Sequence, residues 1–246
     1  EISFLEFHAA VGSLSEYLQQ SKQNEWVLYC QDTFLFAIGF FALLHSKKTI
    51  ILPHNIKPKN LENLDAQIGS LEFLFEDDIT THQQNSLTKN YHLSQIDAPS
   101  SQIIFSTSGS TGTPKLVHKN LQNLEEEIKE LQKLFADDLT GKIFAATVSH
   151  QHIYGLLFRL LFLLCTGDLI YSTTINTIEE LTDLTLVFQN IVLISSPAFL
   201  KRLPSNISVS DINIFSSGGL LKKLDAQNCA AVFGDFPIEI LGSTET

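Results

Sequence analysis

The sequence predicts an α/β fold with mostly parallel sheets flanked by helices, and three observations carry that prediction. Short apolar runs rich in Ile, Val, Leu and Phe alternate with longer helical patterns, as buried parallel sheets and their crossover helices require. The 246 residues are enough to bury a substantial core. Apolar residues make up 44% and charged residues 17%, the balance of a folded globular chain rather than a disordered one.

The elements follow in order. Phe4, Phe7, Val11, Leu14 and Leu18 recur every three or four residues and predict an amphipathic helix. Residues 26–30 read as a strand, Asp32 as the N-cap of an apolar helix over 34–45, and 49–52 as the next strand. The polar stretch 76–101 carries little apolar periodicity and reads as surface connection. Residues 102–105 form a strand that runs into a glycine-rich segment. Leu121, Leu124, Ile128, Leu131, Leu134 and Phe135 then line one helical face, with Glu125 and Lys129 at a favourable spacing on the solvated side. Further strands are expected at 143–148, 168–171, 191–194, 212–215 and 238–241, separated by helical patterns such as 153–165 and 198–203. No repeat at a fixed period and no low-complexity tract interrupts the series.

Composition excludes several classes. A formal charge of −11 argues against a nucleic-acid partner, because phosphate backbones are met by clustered Lys and Arg. Cys30, Cys165 and Cys229 show neither CxxC pairing nor the spacing of secreted disulfide frameworks, and read as reduced core thiols. The longest apolar stretches, 34–44 and 155–165, fall short of the roughly 18 residues that a membrane span needs. With no signal-like pattern before the first helix, a soluble cytoplasmic protein is expected.

The most informative segment is Phe105-Ser106-Thr107-Ser108-Gly109-Ser110-Thr111-Gly112-Thr113-Pro114-Lys115. Gly109 and Gly112 leave main-chain N–H groups uncovered and permit positive φ, so the chain can curl around phosphate. Ser106, Thr107, Ser108, Ser110, Thr111 and Thr113 add hydroxyl donors, and Lys115 adds a cation at the rim. The Walker A pattern fails, because the position that would hold its second glycine is Pro114. A flexible hydroxyl-rich surface turn is the ordinary reading of such a composition, and the order of residues is what speaks against it.

That order resembles the phosphate-loop signature of the adenylate-forming superfamily, which includes acyl- and aryl-CoA synthetases, peptide-synthetase adenylation domains and firefly luciferase. Two further segments follow in family order. Ser216-Ser217-Gly218-Gly219 is similar to the glycine loop lining the adenine and acyl pocket, and Leu241-Gly242-Ser243-Thr244-Glu245-Thr246 resembles the aromatic-Gly-x-Thr-Glu motif, with Leu241 where Tyr is more usual. Between the phosphate loop and the glycine loop, His152-Ile153-Tyr154-Gly155 resembles the His-aromatic-Gly segment bordering the carboxylate substrate, most closely as in AMP-forming acyl-CoA synthetases. His150 lacks such support and reads as surface or loop.

The resemblance implies layered α/β subdomains forming the incomplete N-terminal domain of an adenylate-forming enzyme. Residues 1–100 would be its first α/β portion and 101–246 the phosphate-loop, acyl-pocket and adenine-binding portion, with the C-terminal lid domain absent. It also implies a reaction in which ATP activates a carboxylic acid to an acyl-adenylate with release of pyrophosphate, followed by transfer to CoA or to a phosphopantetheine carrier. Residues 107–113 and Lys115 would hold the β- and γ-phosphates, Thr244 would contact the α-phosphate, and Glu245 would ligate Mg²⁺. His152, Gly155, Ser217, Gly218, Gly219, Leu241, Gly242 and Ser243 would line the adenine and acyl pocket. No acid occurs in the His152 segment to pair an amino group, so a fatty, aryl or short-chain acid is expected rather than an amino acid, with an acyl carrier protein a possible acceptor. The family's downstream ribose-binding Asp and lid Lys lie beyond the motifs seen here, so the chain alone is expected to be inactive. The competing expectations are a non-catalytic nucleotide-binding or scaffold module, and an unrelated α/β domain with a chance loop.

Overall fold

A computed structural model describes residues 3–84, 90–107, 114–204, 207–209 and 212–245. The chain divides into two compact units, Glu1–Glu126 and Glu127–Thr246. Each is built on its own sheet.

In the first unit, helix α1 (Phe4–Gln20) opens with a capping box: the Glu6 amide donates to Ser3 Oγ at 3.2 Å and the Ser3 amide to the Glu6 carboxylate at 2.7 Å. Strand β1 (Glu25–Leu28) leads into α2 (Thr33–His45), whose N-cap is Asp32 as expected, accepting from the amides of Phe34 and Leu35. Strand β2 (Thr49–Leu52), helix α3 (Pro58–Ile68), strand β3 (Glu72–Leu74) and helix α4 (Glu76–Gln84) follow. Strand β4 (Ile103–Thr107) and strand β5 (Lys115–Lys119) complete the sheet, in the order β3-β1-β2-β4-β5. All neighbours run parallel except β4 and β5, which are antiparallel.

Alternation along the strands sends Val27, Ile51 and Ile104 to one face, where Leu64 of α3 packs against them. Leu28 points to the other face and meets α2 at Gly39, where a β-carbon would stand 2.6 Å from its Cδ1. The sheet is therefore covered on both sides, which is why β2 is buried at every residue.

One reading of this unit is corrected. Residues 76–84 are helical rather than connecting chain, anchored by one fully buried residue, Ile79. A single inward side chain leaves no periodicity to see. Strand β5 also went unread, because only Val117 of its five residues is buried.

Helix α5 (Leu121–Leu139) crosses the division between the units. Leu121, Leu124 and Ile128 are buried as expected, whereas Leu134 is 67% exposed. The second unit then runs β6 (Ile143–Ala146), α6 (Ile153–Gly155), a π-helical segment (Leu156–Leu161), α7 (Phe162–Thr166), β7 (Leu169–Thr174), α8 (Ile178–Val187), β8 (Ile191–Ser195), α9 (Pro197–Leu200), β9 (Ile212–Ser216), α10 (Lys223–Phe233) and β10 (Ile238–Glu239). Its sheet is parallel throughout, in the order β10-β9-β8-β6-β7. One face carries Ala145, Leu193 and Ile214 under Leu181 and Leu184 of α8, Phe199 and Leu200 of α9, and Val232 of α10. The other is aromatic: Phe215 meets Phe135 edge-on at 5.1 Å and Phe158 at 5.6 Å, and Phe144 meets Phe162 at 6.3 Å.

Cys30 and Cys229 are buried thiols as expected, but Cys165, at the exposed end of α7, is not a core residue. No helix among the described residues is long and apolar enough to cross a membrane.

Candidate functional site

Open parallel sheets bind ligands beyond the carboxyl ends of their strands, where adjacent strands send their connections to opposite faces. In the second unit β6 and β8 are such a pair. The chain after β6 enters the π-helical segment on the aromatic face, while the chain after β8 enters α9 on the opposite one. Thr147 and Ser195 bridge the two strand ends: their hydroxyl oxygens lie 2.9 Å apart, and the Thr147 amide donates to the Ile194 carbonyl at 2.9 Å. In register with Ser195 stands Ser216, which is buried and whose Oγ has no hydrogen-bond partner among the described residues. A buried hydroxyl in that state favours any polar atom brought to it.

The segment after β6 carries the predicted His152 and Gly155. His152 is the N-cap of α6, exposed, and makes no side-chain cap bond. Gly155 has a packing reason to be glycine, since a β-carbon there would stand 2.1 Å from the Ser149 carbonyl oxygen. Tyr154 lies between them, and burial lifts its phenol far above the ordinary range, an effect that the neighbouring Ser195 backbone only partly offsets. His150, expected at the surface, is 1% exposed. The turn that carries it folds back under α6 to place Ser149 against Gly155, which takes His150 inside.

Two more strand ends bring the remaining motifs to the same edge. Ser217 follows β9, and its hydroxyl donates to the Ile240 carbonyl at 2.7 Å; the Ile240 amide donates to the Ser216 carbonyl at 2.9 Å. This pair of bonds ties the glycine loop to the chain after β10. Gly218 takes φ +86°, a conformation that disfavours any side chain, and the space where its β-carbon would sit is open. Gly242 is equally open, and the nearest atom to a β-carbon at Gly219 would be Pro197 Cγ at 4.0 Å. Leu241 is fully exposed, Ser243 and Glu245 are exposed, and Thr244 is half-buried. Thus His152, Ser217, Gly218, Gly219, Leu241, Gly242, Ser243, Thr244 and Glu245 lie in the connections at one edge of one sheet, with Gly155 in the short helix α6 that follows His152.

The predicted phosphate loop belongs to the first unit. Thr107 ends β4 and Lys115 begins β5, directly opposite each other in antiparallel register, with Thr107 Oγ1 donating to the Lys115 carbonyl at 3.4 Å. The chain between them therefore joins two paired strands, unlike the strand-to-helix connection of a Walker loop. Ser108, Gly109, Ser110, Thr111, Gly112 and Thr113 lie outside the described residues, as does Thr246.

No cluster of three metal-ligating side chains occurs among the described residues. Mg²⁺, however, is ordinarily held by one or two carboxylates together with phosphate oxygens and water. The exposed carboxylate of Glu245, beside open backbone at Gly242, fits that pattern.

Sequence reasoning passed over Thr147, Ser195 and Arg159. The first two were findable, because each stands at the carboxyl end of a buried apolar run. Arg159 stands inside the apolar stretch 155–165 and is 1% exposed within the π-helical segment.

No protein-family model and no curated protein sequence matches the chain. Solved structures do. ATP-bound MatB from Rhodopseudomonas palustris superimposes with a TM-score of 0.74 at 17% identity, covering 100% of this chain and 55% of that one. A benzoate CoA ligase from Burkholderia xenovorans LB400 gives 0.74 at 15% identity over 98% of this chain and 55% of its own. The inhibitor-bound N-terminal domain of FACL13 from Mycobacterium tuberculosis gives 0.73 at 14% identity over 99% and 69%. The chain has the α/β fold of the N-terminal domain of adenylate-forming enzymes, as its motifs implied, and spans about half the length (55%) of MatB and the benzoate ligase.

Proposed function

We propose that this chain is the ATP- and acid-binding portion of an AMP-forming ligase, which activates a carboxylic acid to its acyl-adenylate and passes the acyl group to CoA or a phosphopantetheine arm. The observation that carries the reading is the convergence at one sheet edge of the loops after β6, β8, β9 and β10, with the Ser217–Ile240 bond joining two of the three nucleotide motifs. The fold shared with ATP-bound MatB and with the benzoate CoA ligase supports it.

In this reading the acid's carboxylate oxygen attacks the α-phosphorus of ATP, a P–O bond forms, and the bond to pyrophosphate breaks. Both reactants are anionic, so the work of the site is positioning and charge neutralisation. Residues 107–113 with Lys115 hold the β- and γ-phosphates by N–H, hydroxyl and ammonium donors. Thr244 donates to the α-phosphate. Gly218, Gly219, Gly242 and Ser243 leave backbone uncovered for adenine, while Ser217 holds that loop to the chain preceding Leu241. His152 and Gly155 border the acid, which is fatty, aryl or short-chain. Glu245 would hold Mg²⁺, which supplies positive charge to the phosphates when bound.

Leu241 favours a second reading. It is fully exposed and has no flat ring to stack on adenine, as a non-catalytic nucleotide-binding or scaffold module with a degenerate site would tolerate. ATP–pyrophosphate exchange by the protein that carries this chain, across fatty, aryl and amino acids, separates the two. Exchange with one acid class establishes adenylation; no exchange from folded protein that still binds ATP selects the binding module.

A further inference from the structure

We propose that Arg159 is a positioning residue that sets the acid-bordering loop after β6, and so tunes affinity for the acyl group without touching it. The proposal rests on the adenylation reading above for what the loop contacts, and on geometry for the clamp itself.

All six residues of the π-helical segment are buried, and five of them are apolar. A guanidinium there is costly unless it is hydrogen-bonded. Arg159 is bonded to two separate segments: Nη1 donates to the Val148 carbonyl at 2.8 Å and to Thr174 Oγ1 at 2.8 Å, and Nη2 donates to the Ser172 carbonyl at 2.6 Å. Val148 belongs to the loop that carries Ser149 and His152, whereas Ser172 and Thr174 belong to β7. One planar, rigid fork thus fastens the start of the loop to the adjacent strand.

The π geometry is part of the device. The Phe162 amide donates to the Leu157 carbonyl five residues back, so the turn is wider than an α-turn. Gly155 closes the loop from its other end, with the Ser149 carbonyl seated where a β-carbon would be. Residues 148–155 are therefore held at both ends, by Arg159 at Val148 and by Gly155 at Ser149, with His152 on the span between. Rigid support of this kind fixes a binding wall to within the fractions of an ångström on which affinity depends.

The test compares wild-type chain with Arg159→Met, which keeps the side chain's apolar length, with Thr174→Val, which removes one bond of the clamp, and with Arg159→Lys. Amide hydrogen exchange is read over 147–153. Titration calorimetry uses AMP and two uncleavable acyl-adenylate mimics, the benzoyl- and octanoyl-sulfamoyl adenosines. Faster exchange confined to 147–153, together with about tenfold weaker binding of a mimic but unchanged AMP binding, is the result expected for Arg159→Met. Thr174→Val should follow in the same direction by less, and Arg159→Lys should recover part of the loss. If Arg159→Met does not fold, Thr174→Val decides by the same two readouts. Unchanged exchange in a folded variant overturns the clamp. Faster exchange with AMP and mimics weakened equally, or not at all, overturns its role in acyl binding. Failure of wild-type chain to bind either mimic overturns the adenylation reading first, before any variant is compared, and this proposal with it.

Discussion

Gly155 and the Ser149 carbonyl oxygen approach so closely that a β-carbon on residue 155 would lie 2.1 Å from that oxygen, with the Ser149 carbonyl carbon at 2.7 Å. The obstacle is backbone, which cannot rotate aside as a side chain can. Gly155→Ala should therefore push the turn before α6 outward and cost about 1–3 kcal/mol, the usual penalty for overpacking a buried position. A urea midpoint and calorimetric mimic affinity equal to wild type would show that the turn yields freely and that the glycine is not required by packing.

Ser217 and Ile240 make a different kind of contact, one that couples two motifs far apart in sequence. The hydroxyl bond of 2.7 Å is a side-chain link between the glycine loop and the chain running to Glu245, and Ser217 is buried. Ser217→Ala should cost about 0.5–1.5 kcal/mol, because the Ile240 carbonyl loses a donor where water has poor access. The loss should be local. Amides at 240–245 should exchange faster while those of β6 and β8 stay protected, and a uniform change across the sheet would contradict the coupling.

The sequence made the sheet scaffold readable where strands are buried on both faces. Val27, Ile51, Val192 and Leu193 sit in short apolar runs because nothing polar is admitted on either side. Legibility ended where one side chain does the anchoring: Ile79 in α4, Leu64 in α3 and Val117 in β5 leave no period to count. The π-helical segment was hidden for the opposite reason, since a run of buried residues has the same pattern at any pitch. The glycine motifs of the candidate site were legible from their composition and their order along the chain, and at Gly218 the positive φ gives the glycine a backbone reason. The Thr147–Ser195 bridge was not, because only strand order places residues 48 apart in sequence side by side.

Thiol chemistry should separate the three cysteines. Burial, with Asp225 adding to it, pushes Cys229 up to about 11, and burial raises Cys30 further, reinforced by Glu76, Asp32 and Asp78. Neither forms thiolate near pH 8, whereas Cys165 is exposed. Ellman's reagent should titrate one thiol rapidly in native protein and three after guanidinium. Loss of the rapid phase in Cys165→Ser would assign it; a rapid phase that persists would place the reactive thiol in the core instead.

His45 gives the first unit a dependence on pH whose direction can be worked out. Its Nδ1 lies 2.8 Å from the Ser94 carbonyl, and since a carbonyl only accepts, the neutral ring must carry its proton on Nδ1. Burial lowers the folded pKa, the Ser94 bond partly opposes this, and nearby His8 lowers it again. His54 and His82 are lowered by burial as well. A depressed histidine binds fewer protons folded than unfolded, so stability rises with pH through this range. The contribution is complete above the unfolded value of about 6.5 and fades as pH falls from there through the folded value. Thermal unfolding of the first unit should therefore drop on acidification from pH 7 towards 5, and His45→Gln should flatten that slope. The imidazole Hε1 resonance of His45 should titrate below 6.5 by NMR; a midpoint at or above that value would mean that the Ser94 bond outweighs burial and would reverse the predicted slope.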